Sequence, residues 1–281
     1  MKIGIDASML IYQGSGVSNY TYNLIKHLLL YDKKNEYRIF YSSFRRPKNF
    51  YYLKEFKKLG GKVYDYFFPP WLLKILWNKL QIIPIEWLIG KVDYIFSSDF
   101  LRPPLLKGTK GITTLHDLTW KVFPQYHTAE IVAGHERKLK RTIQGKDIII
   151  VDSQNTKKDL FKYYPQIKNT NKIKIIYPAV DPKFKIIKDQ EKIKKVLRKY
   201  HIQYPKNYLL YVGALEPRKN LTTAIKVFHQ LITNKYPGTD NLQLTANLQF
   251  LIVGRAGWKN EEIFQLVQDL KLEKKVKFVG F

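Results

Sequence analysis

Short β-branched or aromatic runs alternate with longer amphipathic stretches from one end of the chain to the other. This alternation constrains the fold more than any other feature, because it is the pattern of an α/β protein built on mostly parallel sheets. Strands are expected at Lys2 to Ile5, Tyr37 to Tyr41, Lys62 to Tyr64, Tyr94 to Phe96, Gly111 to Leu115, Asp147 to Val151 and Lys172 to Tyr177. Helical stretches fall between them, at Val17 to Leu30, Tyr52 to Leu59, Trp71 to Leu80, Thr128 to Gln144 and Asn155 to Tyr163. In the first of these, Val17, Tyr20, Leu24 and Leu28 share one face at helical spacing. After Pro178 the chain turns polar and lysine-rich, and a second alternation begins near Tyr208: strand Tyr208 to Val212, helix Leu221 to Thr233, a loop through Pro237 and Gly238, strand Phe250 to Val253, helix Glu261 to Leu270 and strand Val276 to Val279. The expected organisation is a first domain over 1–182, a linker or boundary helix over 183–205, and a second domain over 206–281. Three strands are few for a domain, since about 100–150 residues is typical, so the second domain reads as incomplete, with an unpaired strand edge at Val276 to Val279.

Composition narrows the chemistry. The chain has 281 residues, 45% of them hydrophobic, enough to bury two cores. It has no Cys, which closes off disulfides, thiolate zinc sites and cysteine nucleophiles and fits a reducing, cytoplasmic setting. Asp6 interrupts the N-terminal apolar run too early for a signal-peptide core. The most membrane-like stretch, Phe67 to Gly90, is broken by Pro69, Pro70, Lys74, Lys79, Pro84 and Glu86, so no transmembrane helix is expected. A net charge of +26 points toward phosphate-bearing partners. The same excess, with richness in Ile, Asn and Tyr, is also what an AT-rich coding sequence produces without any binding role.

Three places carry candidate chemistry. Gly14, Ser15 and Gly16 lie between the first strand and first helix, where small residues let a ligand approach backbone N–H groups; a tight turn with Ser15 or Ser18 as helix cap accounts for them equally. His116, with Asp117 beside it, follows an apolar strand directly, at the strand end where open α/β sheets hold ligands; a purely structural pair is the alternative. Arg218 and Lys219 precede a helix for which Asn220 is the expected cap. Cations oppose the macrodipole there, which makes sense if an anion such as a diphosphate lies between, or if both are simply solvated. The sequence contains no HExxH, P-loop or GxSxG motif.

Taken in order, the segments KIGIDA, GSGVSNYTYNLI, TTLHDL, IIIVDSQNTKKDL, KIKIIYPAVDPKF, YLLYVGALEPRKNL, FLIVGRAG and VKFVGF resemble a retaining glycosyltransferase of family four. The resemblance implies two Rossmann-like domains in the GT-B arrangement and sugar transfer with retention, without a metal and without a cofactor, the nucleotide-sugar being a substrate. It implies that Arg218 and Lys219 hold the donor diphosphate, that the loop Gly14–Gly16 closes over donor and acceptor, that His116 is the catalytic-site residue touching the transferring sugar, and that backbone near Gly280 approaches the nucleobase. Its partners are then a nucleotide-sugar donor, a glycan or lipid-linked acceptor and an anionic membrane surface, with no specific nucleic acid.

The family also carries two glutamates separated by seven residues late in the second domain, and no two Glu residues here have that spacing. This points to a chain truncated within its second domain, with impaired activity alone. Phe44, Arg45, Arg46, Lys48, Phe50, Tyr51, Tyr52, Lys54, Lys57 and Lys58 form the expected membrane patch, at the inner face of a membrane; helix core with solvated lysines is the competing account. A non-catalytic sugar-nucleotide or membrane-binding module, an epimerase on the same architecture, and an electrostatic nucleic-acid binder are the alternatives to transfer.

Overall fold

The computed structural model describes the chain except for residues 45, 47–49, 98–99, 203–206, 234–247, 258 and 281. It divides into two compact units, Met1–Pro182 and Lys183–Phe281.

The first unit is a seven-stranded parallel sheet of β1 (Lys2–Asp6), β2 (Glu36–Ser42), β3 (Lys62–Tyr66), β4 (Tyr94–Ser97), β5 (Lys110–Leu115), β6 (Ile148–Val151) and β7 (Ile173–Ile175), in the order β3-β2-β1-β4-β5-β6-β7. β1 pairs with both β2 and β4, so the strand order reverses between β1 and β4. In open α/β sheets such a reversal leaves a crevice at the carboxyl ends of the strands, where ligands bind. All seven strands match expected runs, because contiguous apolar β-branched residues suit strands covered on both faces.

The principal helices are α1 (Gly16–Tyr31), α2 (Tyr52–Lys58), α3 (Ala129–Gln144) and α4 (Gln154–Tyr163). Side-chain caps start three of them: Ser15 accepts from Ser18 N–H, Thr128 from Ile131 N–H and Ser153 from Thr156 N–H. The buried face of α1 is Ser18, Thr21, Ile25 and Leu29, one residue round from the expected stripe. Ile25 and Leu29 join Ile5, Ile39, Tyr41 and Phe56 in the core. Val17, Tyr20 and Leu24 instead line a pocket.

The stretch expected as one helix from Trp71 to Leu80 is a short α-helix, Pro70–Leu73, running into a π-helix, Lys74–Leu80. Leu73, Trp77, Ile85 and Ile89 pack beneath β2 and β4 around Phe40 and Ile95. No helix among the described residues is long and apolar enough to cross a membrane. A buried bidentate ion pair ties the amino ends of the sheet: Arg102 donates from Nε and Nη2 to Asp147 at 3.0 and 2.9 Å. A Cβ at Gly111 or Gly145 would lie within 2.2 Å of that pair, so glycine makes room for it.

The second unit has α5 (Gln190–Lys199), β8 (Tyr208–Val212), α6 (Leu221–Ile232), β9 (Gln249–Val253), α7 (Glu261–Asp269) and β10 (Val276–Gly280). The charged boundary stretch thus holds a helix, capped by Asp189, and its Leu197 packs with Ile202 on Leu251. The three strands are parallel in the order β10-β9-β8. Both β10 and β8 are edges, and β8 also exposes Leu210 and Val212. The expected loop through Pro237 and Gly238 lies outside the described residues.

Candidate active site

In the first unit the carboxyl ends of β1, β4, β5 and β6 bring Asp6, Ser97, His116 and Asp152 to one edge of the sheet. Asp6 and Ser97 are buried. Asp6 accepts from Ser8 N–H at 2.9 Å, and Ser97 donates to the Ile112 carbonyl at 3.2 Å. Asp6, Val17, Tyr20, Leu24, Ser97 and His116 line a pocket with room for about one water molecule.

His116 is fixed from three sides. Its Nδ1 lies 2.7 Å from Asp152 Oδ2, its carbonyl accepts from Thr156 Oγ1 at 3.2 Å, and the Tyr20 ring stands edge-on at 4.8 Å. The Tyr20 hydroxyl in turn bonds Thr114 Oγ1 at 2.9 Å. Burial raises the Tyr20 pKa above its usual value, with the Asp152 charge adding to the rise against the Thr114 hydrogen bond, so this hydroxyl stays protonated at neutral pH. His116 and Asp152 keep 20% and 19% of their side-chain surface exposed, which leaves the pair open to a ligand. A carboxylate at Nδ1 favours the tautomer that carries its proton on that nitrogen.

The partner of His116 is therefore Asp152, 36 residues away, and not its neighbour Asp117. Asp117 accepts from Thr119 N–H and Oγ1 at 2.9 and 2.7 Å, turning the chain into the short helix Thr119–Val122. Asp152 was missed in the sequence, although the signal was available: it follows β6 as His116 follows β5, and β5 and β6 are neighbours.

Of Gly14, Ser15 and Gly16, Ser15 is the cap of α1. Gly14 needs glycine, having a φ of 79°. A Cβ at Gly16 would meet nothing within 4 Å, so packing does not dictate glycine there.

In the second unit, the three strands end on adjacent glycines. Gly213 N–H donates to the Val253 carbonyl at 2.9 Å, and Gly254 N–H to the Gly280 carbonyl at 2.8 Å. Beyond the strands the two loops stay paired: Leu215 N–H donates to the Arg255 carbonyl and Gly257 N–H to the Leu215 carbonyl, both at 3.0 Å. Tyr211 pins the first loop through its hydroxyl to the Ala214 carbonyl at 2.9 Å; burial and the nearby Glu216 charge raise its pKa, against Arg218.

This rigid base carries the turn Pro217–Lys219. Arg218 Nη2 sits 2.5 Å from Glu216 Oε1, whose side chain is 4% exposed, while Arg218 Nε is shielded from solvent and has no acceptor. The expected conflict between two cations and the helix start is therefore halved, because Glu216 neutralises one of them. The Lys219 side chain is exposed and makes no ion pair or hydrogen bond among the described residues, while its backbone N–H donates to the Glu216 carbonyl at 3.0 Å. Asn220 does not cap α6: it adopts the left-handed conformation, with φ 51°, and its Oδ1 accepts from Thr223 Oγ1 at 2.7 Å. α6 begins with neither a side-chain cap nor an acidic residue in its first turn. Of the helices α1 to α7 it alone combines both absences.

The expected membrane patch is divided. Phe50 and Tyr52 pack in the core, and Arg46 binds Asp65 through both guanidinium nitrogens while lying 4.4 Å over the Phe67 ring. Phe44, Tyr51, Lys54, Lys57 and Lys58 remain exposed; Arg45 and Lys48 lie outside the described residues. No cluster of three His, Asp or Glu side chains that could hold a metal ion occurs among the described residues.

Comparison with known proteins bears on the fold and the family. A protein of Escherichia coli described as O-antigen chain mannosyltransferase B is 23% identical over 288 residues, spanning 100% of this chain and 71% of that one. A glycosyltransferase of Rickettsia africae ESF-5 has a similar fold, with a TM-score of 0.57 at 18% identity over 99% of this chain and 67% of its own. So does an E. coli trehalose-6-phosphate protein solved with UDP-2-fluoro glucose, at 0.53 and 10% identity over 100% and 74%. The fold is the two-domain GT-B type. Residues 189–281 match the model of glycosyl transferases group 1, and residues 14–184, more than half of the chain, match that of Glycosyltransferase Family 4. The chain belongs to glycosyltransferase family 4.

Proposed function

We propose that this glycosyltransferase moves a hexosyl group, mannosyl or glucosyl, from a nucleotide-sugar to a polysaccharide or lipid-linked acceptor with retention of configuration, using no metal and no cofactor. The observation that carries this reading is the start of α6, uncapped, free of acid and led by the unpaired Lys219. Such a terminus suits a diphosphate, whose charge rises as the bond from the sugar C1 to the phosphate oxygen breaks. In the proposed step the acceptor oxygen bonds C1 from the same face, and its proton passes to the departing phosphate oxygen. Lys219 and the α6 amides stabilise that oxygen's diphosphate, and Arg218, oriented by Glu216, offers its remaining N–H groups. His116 contacts the transferring sugar, the Gly14–Gly16 loop closes over the reacting groups, and the backbone at Gly280 borders the nucleobase. The O-antigen mannosyltransferase likeness supports a surface-polysaccharide acceptor. The exposed Phe44, Tyr51 and α2 lysines support a place at the inner face of a membrane.

Two experiments test this. Incubation with a panel of nucleotide-sugars and membrane extracts, followed by NMR of the product, should show a new glycosidic bond with the donor's anomeric configuration; an inverted product overturns retention. By calorimetry, Lys219→Ala should weaken nucleoside diphosphate binding by about 1.5–3 kcal/mol, the worth of a charged hydrogen bond. Arg218→Ala would strand the buried Glu216 carboxylate, so the Arg218 effect is read in an Arg218→Ala/Glu216→Gln pair. Unchanged affinity in both variants rules out the diphosphate assignment.

A further inference from the structure

On the opposite edge of the first unit's sheet lies an open groove of about 510 Å³, lined by Asn78, Lys79, Arg137, Lys140, Arg141 and Gln144. α3 runs from the carboxyl end of β5 back to the amino end of β6, so its second half, which supplies four of these residues, sits away from His116 and Asp152. The π-helix Lys74–Leu80 forms the other wall.

Four of the six lining residues are cationic and none is acidic. Their spacing along α3, at 137, 140, 141 and 144, places them on one helix face, with the two arginines one turn apart. Ordinary structural roles account for only part of this set. Lys140 has Glu136 at 3.5 Å, and Arg141, in the last turn of α3, complements the helix dipole. Arg137 and Lys79 have no ion pair or hydrogen bond among the described residues, and Arg137 Nε is shielded from solvent without an acceptor. The acid on which both charges act, Glu130, is already held by Lys74 at 3.1 Å. Asn78 is a wall and not a ligand, since its side chain is spent on the Phe100 carbonyl and Arg102 N–H.

We propose that this groove is a second anion site, which takes the phosphate or diphosphate group of a ligand other than the donor. Two guanidinium forks one helical turn apart match the planar, bidentate recognition of phosphate oxygens better than diffuse lysines would. The volume falls in the range of small-ligand pockets. Leu80 and Ile82, 58% and 46% exposed and directly following Lys79, offer apolar surface if the phosphate belongs to an amphiphile.

The test titrates the whole chain, at low salt, with inorganic pyrophosphate and separately with phosphatidylcholine vesicles with and without phosphatidylglycerol. Arg137→Gln/Arg141→Gln should weaken binding about tenfold or more. Because Arg137 is half-buried, the exposed pair Lys79→Gln/Lys140→Gln serves as a second variant, expected to weaken binding less with an unchanged melting curve. Lys168→Gln/Lys172→Gln, two exposed lysines of the same unit outside both the groove and the α2 patch, is the control and should bind as wild type. Sensitivity of pyrophosphate binding to the groove variants identifies a soluble ligand, and sensitivity of phosphatidylglycerol vesicles alone identifies a lipid headgroup. Binding of neither probe, or binding that the groove variants leave intact, overturns the proposal. Nucleoside diphosphate affinity should be unaffected by the groove variants, which keeps this result separate from the donor assignment.

Discussion

Asp152→Asn tests the His116 assignment with little change in shape. The wild-type contact is a 2.7 Å hydrogen bond between the imidazole and Asp152 Oδ2, and Asp152 Oδ1 is buried with no partner. Asn can offer its carbonyl oxygen to the His116 N–H, with its NH₂ in the place of the buried Oδ1. The substitution therefore loses the charge assistance of one hydrogen bond, a cost of about 1.5–3 kcal/mol. If that cost falls on the orientation of the ring against the sugar, kcat/KM should drop roughly ten- to a hundredfold. The assay is release of nucleoside diphosphate from the donor that binds, with acceptor present, alongside thermal melting. A His116→Gln/Asp152→Asn double variant should lose little more than His116→Gln alone, because the carboxylate acts through the ring. A kcat/KM within threefold of wild type in Asp152→Asn, with the fold intact, would refute the reasoning. Additive losses in the double variant would show that Asp152 acts independently of His116.

Two further outcomes concern the frame. Gly254→Ala would put a Cβ 1.8 Å from the Gly213 carbonyl oxygen, a backbone atom fixed by the paired loops. It should destabilise the second unit by about 1–3 kcal/mol or more and reduce nucleoside diphosphate binding, and an unchanged melt would count against the close loop pairing. At Glu136 burial disfavours the charged form, but hydrogen bonds from Tyr164 and Lys121 outweigh it and hold the carboxyl below the usual 4.5. A depressed folded value means the stabilisation is present above about pH 4.5 and is lost as pH falls through the folded pKa. Urea midpoints should thus show Glu136→Gln less stable than wild type near neutrality, with the gap closing in acid; a gap that widens in acid contradicts the sign.

Regular structure was legible because each element announces itself locally. Apolar β-branched runs marked all ten strands, and the principal helices lay between them. What escaped was whatever depends on residues meeting across elements. The helical stripe Val17, Tyr20, Leu24 and Leu28 has the right period, yet the face turned to the core is set by β1 and β2 beneath it, and part of the stripe lines the site instead. Asp117 attracted attention as a neighbour of His116, but a strand's pleat sends adjacent side chains apart, and the partner came from the next strand's end. In the same way Glu216 is two residues from Arg218, and only an extended backbone at Glu216 followed by a tight turn brings their charges together. The aromatics of the expected membrane patch were indistinguishable by composition from core, and Phe50 and Tyr52 proved to be core.

The contrast between the two helix starts bears on how the work is divided. α1 begins with its Ser15 cap in place, so the Ser18 amide is satisfied before a ligand arrives. α6 forgoes a cap, which costs about 1 kcal/mol in the free protein, and holds Lys219 where the dipole disfavours it. Both penalties vanish when an anion sits at that terminus, because it accepts from the amides and screens the lysine. Glu216 limits the cost by neutralising Arg218, which leaves one net positive charge at the turn. On the proposed reading, a single charge with oriented amides favours the form of the diphosphate that has gained charge on leaving the sugar, without holding the product as tightly as two bare cations would. On that reading, the stability given up at this turn is concentrated where the departing group needs it.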